Sequence, residues 1–528
     1  MSFNEKRFTA VFGALVFLLA VSGYLITVAP TVSFWDCGEF IACSYSMGIP
    51  HPPGTPLFVI IGRVVCLLLS FIREIAYRIN LISVFANSVT VTLCYLIIVR
   101  LLRHWFKPEE EENFFMKFLP IVGGFTGALF TAFSYTWWFN CVEAEVYGIA
   151  MLIMVTELWL GFKWQDYRGT PHADRILILI MYLAYLGIGA HLYTMIPVPL
   201  IFLYVALQDE EKRKSWQLWL IGFCLLSVMY SISSFLTIGP LLLLYCILWI
   251  LLEEDTAKKV NGIFLAVVSL YSLKNALPAQ DKEFSGLGFI LGLVYMALAV
   301  LPFVLKTEAK DVERHKWSFC FYIVLFAFLG YSVNFFIPVR SYLDPIIDEN
   351  NPEVVIEKAS DLLDGKKWEQ LIYFLERKQY GNESMIMRMF HRRGAFFSQF
   401  INHQHMGFGG YLAVQFFNFN DISAGELRLG DNTLVRMGKL LLYLLPLFFV
   451  IWAVSYQYRR NRNGTLFLGM ALFACTIGLV LYMNFADGTV PEQRDLIQWE
   501  KNGRAGPKPE PIQMEVRERD YFFTPGFM

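Results

Sequence analysis

Two carboxylates and a histidine share the first polar stretch of the chain, "FWDCGEFIACSYSMGIPHPPGTP", Phe34 to Pro56. If Trp35 to Tyr45 is helical, Asp36 and Glu39 are i and i+3 and lie on one face. Such a pair can hold a cation, or one member can act as general base while the other orients a substrate hydroxyl. Solvated loop acids are the plainer alternative. His51 stands in a run of prolines that stop one helix and start the next; it is either a hydrogen-bonding loop residue or part of the same site. Further along, Glu143, Glu145 and Tyr147 in "NCVEAEVYG" form a second acidic cluster, and His191 stands in "GAHLYT". A solvated helix start and an interhelical histidine are the plainer readings of these two. His403 and His405 have strand-like spacing and no accompanying carboxylate pattern, so no metal is expected.

The elements that must position these residues are apolar. Of 528 residues 56% are hydrophobic and only 17% charged, against about a quarter charged in a soluble domain, so the chain reads as an integral membrane protein. Runs of about twenty apolar residues recur along it, the length of a helix crossing a roughly 30 Å core. They are too long and uniform for barrel strands. The net charge of −1 argues neither for nucleic acid as a partner nor for a polybasic lipid-surface protein, and no nucleic acid is expected. The nine cysteines show no zinc spacing; Cys37 and Cys43 are either two unpaired small residues or a pair in an oxidising compartment.

The run at 56–72, with Arg63 inside it, decides the topology. If it spans, the clusters Arg100, Arg103, Lys107 and Lys117, then Lys163, Arg168 and Arg175, then Lys212, Arg213 and Lys214 all fall outside. If it lies along the outer interface they all become cytoplasmic, as charge bias requires. That choice predicts an all-α polytopic protein with about thirteen transmembrane helices, an amino terminus inside and the acidic motif outside. Residues 1–338 form a transmembrane core with an external loop at 30–79, 339–437 an external segment of amphipathic surface helices, 438–484 a carboxyl-terminal pair of spans, and 485–528 an external polar tail. The apolar ending "YFFTPGFM" reads as the approach to a further span, hence a truncated chain.

The order of first span, acid pair, His-Pro-Pro and interfacial helix resembles the GT-C superfamily of polytopic glycosyltransferases. More narrowly, "WDCGEFIA", "GIPHPPGTPLF", "NCVEAEVYG" and "ERKQYG" resemble a bacterial family related to the eukaryotic transmembrane protein O-mannosyltransferases. The resemblance implies a GT-C-type helical bundle in a bacterial inner membrane, with its active site on the periplasmic face. It implies transfer of a hexose, mannose first, from a polyprenyl phosphate to serine and threonine hydroxyls of a protein acceptor. The lipid-linked sugar is then a substrate, and no resident cofactor is implied. By similarity Asp36 is the base and Glu39 positions the acceptor, while His51, Glu143, Glu145, Tyr147 and His191 contact donor or acceptor. The leaving phosphate needs a cation, for which Arg63, Arg73, Arg78 and Arg340 are the outward candidates. Arg340 in "FIPVRSYLDP" is preferred, with a snorkelling helix-end arginine as its plainer reading. A transporter or lipid-linked-sugar flippase is the competing function, but would place ionisable groups at mid-bilayer within paired repeats. A non-catalytic scaffold would leave the acid and His-Pro-Pro arrangement unexplained.

Overall fold

A computed structural model describes residues 4–105, 114–229, 231–277, 286–304, 310–380, 389–402, 407–415, 448–515 and 519–528. The described chain is helical; its only extended pairings are two isolated bridges, Ile49 with Asp348 and Pro491 with Pro511. Nine α-helices carry the described part of residues 5–208: α1 (Glu5–Thr27), α2 (Cys37–Ser46), α3 (Leu57–Leu68), α4 (Ile75–Arg103), α5 (Phe114–Ala132), α6 (Tyr135–Cys141), α7 (Tyr147–Asp166), α8 (Pro171–Gly187) and α9 (Pro197–Gln208).

α4 is the central post, packed against α1, α5 and α7. Two thirds of its most apolar window (67%) is buried, against 28% for α1 and for α5. Its polar side chains do not oppose this burial, because they bond their own helix. Ser88 Oγ donates to the Val84 carbonyl at 2.7 Å and Thr90 Oγ1 to the Ala86 carbonyl at 2.7 Å. α5 approaches closely because Gly124 offers no side chain: a Cβ there would lie 2.4 Å from Val99. One hydrophobic core joins α1–α9 to Phe467, Phe485, Tyr521 and Phe523. A second surrounds the Lys310–Tyr331 helix, which lies along α8, and includes Trp249, Trp317 and Phe374.

The two ends of the bundle differ in charge. At one end Arg103 pairs with Glu5 at 2.7 Å, Arg100 with Asp166 at 2.7 Å and Lys212 with Asp174 at 2.6 Å, tying the termini of α1, α4, α7 and α8 together. At the other, Asn80 at the start of α4 donates to the Ala29 and Thr31 carbonyls after α1, at 2.8 and 3.1 Å, and the Ala29 amide donates to the Val142 carbonyl at 2.8 Å. The acidic motif lies at this second end.

The expectation of about thirteen spans in a GT-C-type bundle is overturned. Among the described residues five helices are long and apolar enough to cross a membrane: Glu5–Thr27, Ile75–Arg103, Phe114–Ala132, Lys310–Tyr342 and Arg462–Met483. Hydropathy counts apolar residues whether or not the backbone runs as one rod. The run at 192–207 is a 3-10 turn, Leu192–Met195, followed by α9 of 12 residues, about 18 Å of helix. The 217–235 run is an 11-residue helix, Trp216–Leu226, and another 3-10 turn, and α3 is 12 residues long. Other helices have the length but carry charge: Glu157, Lys163 and Asp166 in α7, and Glu254, Asp255, Lys258 and Lys259 in Glu254–Ala276. Residues 438–447, the start of the expected carboxyl-terminal pair, lie outside the described residues, as do His403 and His405.

Candidate functional site

α2 opens at Cys37, so Asp36 takes the N-cap position and Glu39 the first turn; the Phe40 amide donates to the Asp36 carbonyl at 3.1 Å. The helix stops at Met47, whose positive φ of 57° turns the chain and lets the Gly48 amide bond the Cys43 carbonyl at 2.9 Å. The returning proline loop then brings His51 back over the two acids. The His51 amide donates to Glu39 Oε1 at 2.8 Å, its ring Nδ1 bonds Glu39 Oε2, and its Nε2 stands 4.0 Å from Asp36 Oδ2. One imidazole therefore bridges both carboxylates.

Gly54 makes this return possible. Its φ is +111°, and a Cβ would lie 2.6 Å from the Phe40 ring and 2.7 Å from Val146, so bare backbone passes between α2 and the loop before α7. The loop is pinned at both flanks. The Leu57 amide donates to the Gly189 carbonyl at 2.8 Å; Ile49 donates to the Ile347 carbonyl at 2.8 Å and accepts from the Glu349 amide at 3.0 Å.

Burial alone would raise the Glu39 carboxyl, but the His51 ring, the His51 amide and the imidazolium charge hold it below its ordinary value. Burial likewise disfavours the His51 cation, yet Glu39 first, then Asp36 and Glu349, raise the imidazole above its ordinary value. Asp36 is the more exposed acid, with 39% of its side chain accessible against 31% for Glu39. Beside it Phe34 and Trp35 are 87% and 64% exposed, and Trp35 holds a left-handed φ of 66°.

The second acidic cluster meets the first through Cys37. Its thiol donates to Glu145 Oε1 at 3.9 Å, and the ligand atoms of Cys37, Glu143 and Glu145 lie within 4.8 Å of one another. This is a donor set with cation-holding geometry, where the sequence led to no metal being expected. Cys37 and Cys43 are both buried and form no disulfide with each other. Tyr147, first residue of α7, packs its ring 5.3 Å from His191 and 4.9 Å from Tyr521. His191 is 5% exposed and accepts the Tyr193 amide at Nδ1, 3.2 Å away. Burial, then the charge of Arg377, keeps it neutral by depressing its proton affinity far below the ordinary value.

Three of the four outward arginines bond backbone carbonyls of the frame. Arg78 donates to four carbonyls, Ile72, Cys66, Ser70 and Arg73, at 2.5 to 3.4 Å, tying the end of α3 to the start of α4. Arg340 donates to the Met47 and Ser46 carbonyls at 2.6 and 3.4 Å, capping the far end of α2 from Asp36. Arg63 donates to the Tyr45 carbonyl at 2.6 Å. Sequence reasoning does not single out Glu349 or Arg377, and it reads Tyr521 and Phe522 only as part of the apolar ending. "ERKQYG" is the signal that points to Arg377; nothing local marks Glu349.

Residues 36–215 match the family model described as the Protein O-mannosyl-transferase TMEM260 N-terminal domain. The protein O-mannosyl-transferase tmem260 of Dictyostelium discoideum is 22% identical over 365 residues, 63% of this chain and 40% of that protein. The mouse protein O-mannosyl-transferase TMEM260 is 25% identical over 161 residues, 30% of this chain and 20% of that protein. The chain thus spans less than half the length of these curated relatives. No solved structure matches. The matched segment begins at Asp36 and takes in both acidic clusters and His191, and on this evidence the chain is a distant relative of the TMEM260 family.

Proposed function

We propose that this chain is a membrane glycosyltransferase that moves a hexose, mannose first, from a polyprenyl phosphate to serine or threonine hydroxyls of a protein. The observation that carries the reading is the bridged acid pair, Asp36 and Glu39 on one helical turn with His51 between them. Asp36, the more exposed carboxylate, takes the proton of the acceptor hydroxyl. The hydroxyl oxygen forms its bond to the anomeric carbon as the bond from that carbon to the phosphate oxygen breaks. Its electron pair leaves with the lipid phosphate, and the anomeric centre inverts. Glu39, fixed by His51, accepts from the acceptor or from a sugar hydroxyl.

A lipid-anchored donor requires the acids to lie near a membrane surface. The exposed Phe34 and Trp35 beside Asp36 are aromatic groups of the kind found at that level. The opposite end of the bundle carries Arg100, Arg103 and Lys212, which favours a cytoplasmic basic end, a cytoplasmic amino terminus and outward-facing acids. The assay is transfer of labelled hexose from polyprenyl phosphate to protein in membranes holding the chain. Asp36→Asn should lower transfer by about 100-fold or more and Glu39→Gln by less. Transfer undiminished in Asp36→Asn would overturn the assignment of the base, and no transfer from any hexose donor would overturn the reading itself.

A further inference from the structure

Arg392 bonds through one corner of its guanidinium only. Nη1 donates to the Met389 carbonyl at 3.2 Å and to the Leu481 carbonyl at 3.0 Å. Nε and Nη2 are buried and have no hydrogen-bond partner among the described residues. These two nitrogens form one edge of the planar group, and their parallel N–H bonds match the two oxygens of a carboxylate or phosphate. Burial lowers the proton affinity of the guanidinium, and no carboxylate among the described residues offsets it. A buried cationic edge is costly unless an anion completes it.

The backbone that carries this edge is fixed. Asn484 ends the Arg462–Met483 helix, one of the five long and apolar enough to cross a membrane, in the left-handed region at φ 47°. Its Oδ1 accepts the Arg393 amide at 3.0 Å and its Nδ2 donates to the His391 carbonyl at 2.6 Å. Both neighbours of Arg392 are thereby held to the helix end. Asp487, three positions past Asn484, is already engaged: Oδ2 accepts the Ala395 amide at 2.8 Å, and Oδ1 accepts the Thr489 amide at 3.0 Å and hydroxyl at 2.6 Å. This is the acid end of the bundle, because the Phe485 ring packs 5.8 Å from Phe522, and Phe522 5.9 Å from Tyr147 at the start of α7. Beside Arg392 in sequence, Phe390, Phe396 and Phe397 are all exposed. Exposed phenylalanines at the end of such a helix are groups that insert among lipid headgroups and chains.

We propose that the Nε–Nη2 edge of Arg392 binds the phosphate of a phospholipid seated at this end of the bundle. The site stands apart from the glycosyl-transfer chemistry and does not depend on it. A phosphate diester presents two unesterified oxygens to the two parallel donors, while the exposed phenylalanines lie against the lipid's apolar part. The Arg392 side chain is only part-buried as a whole, so the edge lies just below the surface. The oxyanion chemistry is shared by a lipid phosphate and free phosphate.

The test is binding to the full chain purified in detergent, with phosphatidylglycerol, diacylglycerol of the same chains and inorganic phosphate as probes. Phosphatidylglycerol should bind about tenfold or more tighter than diacylglycerol, which lacks the phosphate. Arg392→Gln should weaken phosphatidylglycerol about tenfold or more, and Arg392→Lys should recover part of that loss because charge returns without the fork. The Arg392 Nε–H resonance of the unsubstituted protein should shift with phosphatidylglycerol and not with diacylglycerol, a readout that survives if Arg392→Gln does not fold. An unmoved resonance, or a folded Arg392→Gln protein binding within about twofold of the original, would overturn the site. Inorganic phosphate binding as tightly as the lipid would overturn the lipid as its occupant. So would a resonance that moves with a glutamate-rich peptide and not with phosphatidylglycerol.

Discussion

At the scale of the residue, the chemistry turns on His51 and its charge. Its folded-state proton affinity is raised, so the Glu39–His51 pair contributes fully below the ordinary histidine value of 6.5 and is lost as pH rises through the raised one. Glu39 is lowered, so its contribution is full above 4.5 and is lost as pH falls through the depressed value. Stability conferred by the pair should therefore be greatest between these two ordinary values, and melting temperature followed against pH should show it. His51→Asn should flatten the alkaline side of that profile. A wild-type profile unchanged across neutrality, or one that His51→Asn leaves intact, would show that the bridge contributes nothing. In transfer assays the same deprotonation frees Glu39 from its partner, so activity should fall above pH 6.5 rather than at it.

At the scale of the element, what could be read in advance was what is local. Asp36 and Glu39 share a face because they stand three positions apart, within one helical turn, and the prolines announce that the chain turns back at His51. Hydropathy saw the apolar runs but not their breaks, since the 3-10 turns at Leu192–Met195 and Ser227–Met229 arise from packing at the bundle end. The clamp of Ile49 onto Ile347 and Glu349 joins distant segments with no pattern in either. Gly54 makes the dependence of site on element testable. Gly54→Ala forces a side chain into a left-handed backbone and against Phe40 and Val146, and should destabilise the protein by about 2 kcal/mol or more. Near-normal stability with full activity would mean the loop has room the geometry denies it. Arg78→Ala strips four carbonyls of their donor and should cost about 1–3 kcal/mol of stability. Its effect on transfer should follow the loss of folded protein, whereas a raised KM at unchanged stability would return Arg78 to the substrate.

At the scale of the whole molecule, the site is closed by the most distant part of the chain. Tyr521 and Phe522 pack their rings 4.9 and 5.9 Å from Tyr147, and the Tyr193 hydroxyl donates to the Phe522 carbonyl at 2.6 Å. The 485–528 tail brings Tyr521 and Phe523 into the main core. Glycosyl transfer from a lipid donor needs water kept from the anomeric carbon, and this aromatic closure covers the His191 side of the site. Tyr521→Ala should destabilise the fold by about 3 kcal/mol, as should Tyr147→Ala. Because the two rings touch, the double variant should fall short of the sum by about 0.5–1.5 kcal/mol. Additive losses in that cycle would mean that the tail and α7 are stabilised independently, and that the closing contact seen at Tyr147 does not hold the carboxyl-terminal segment over the site.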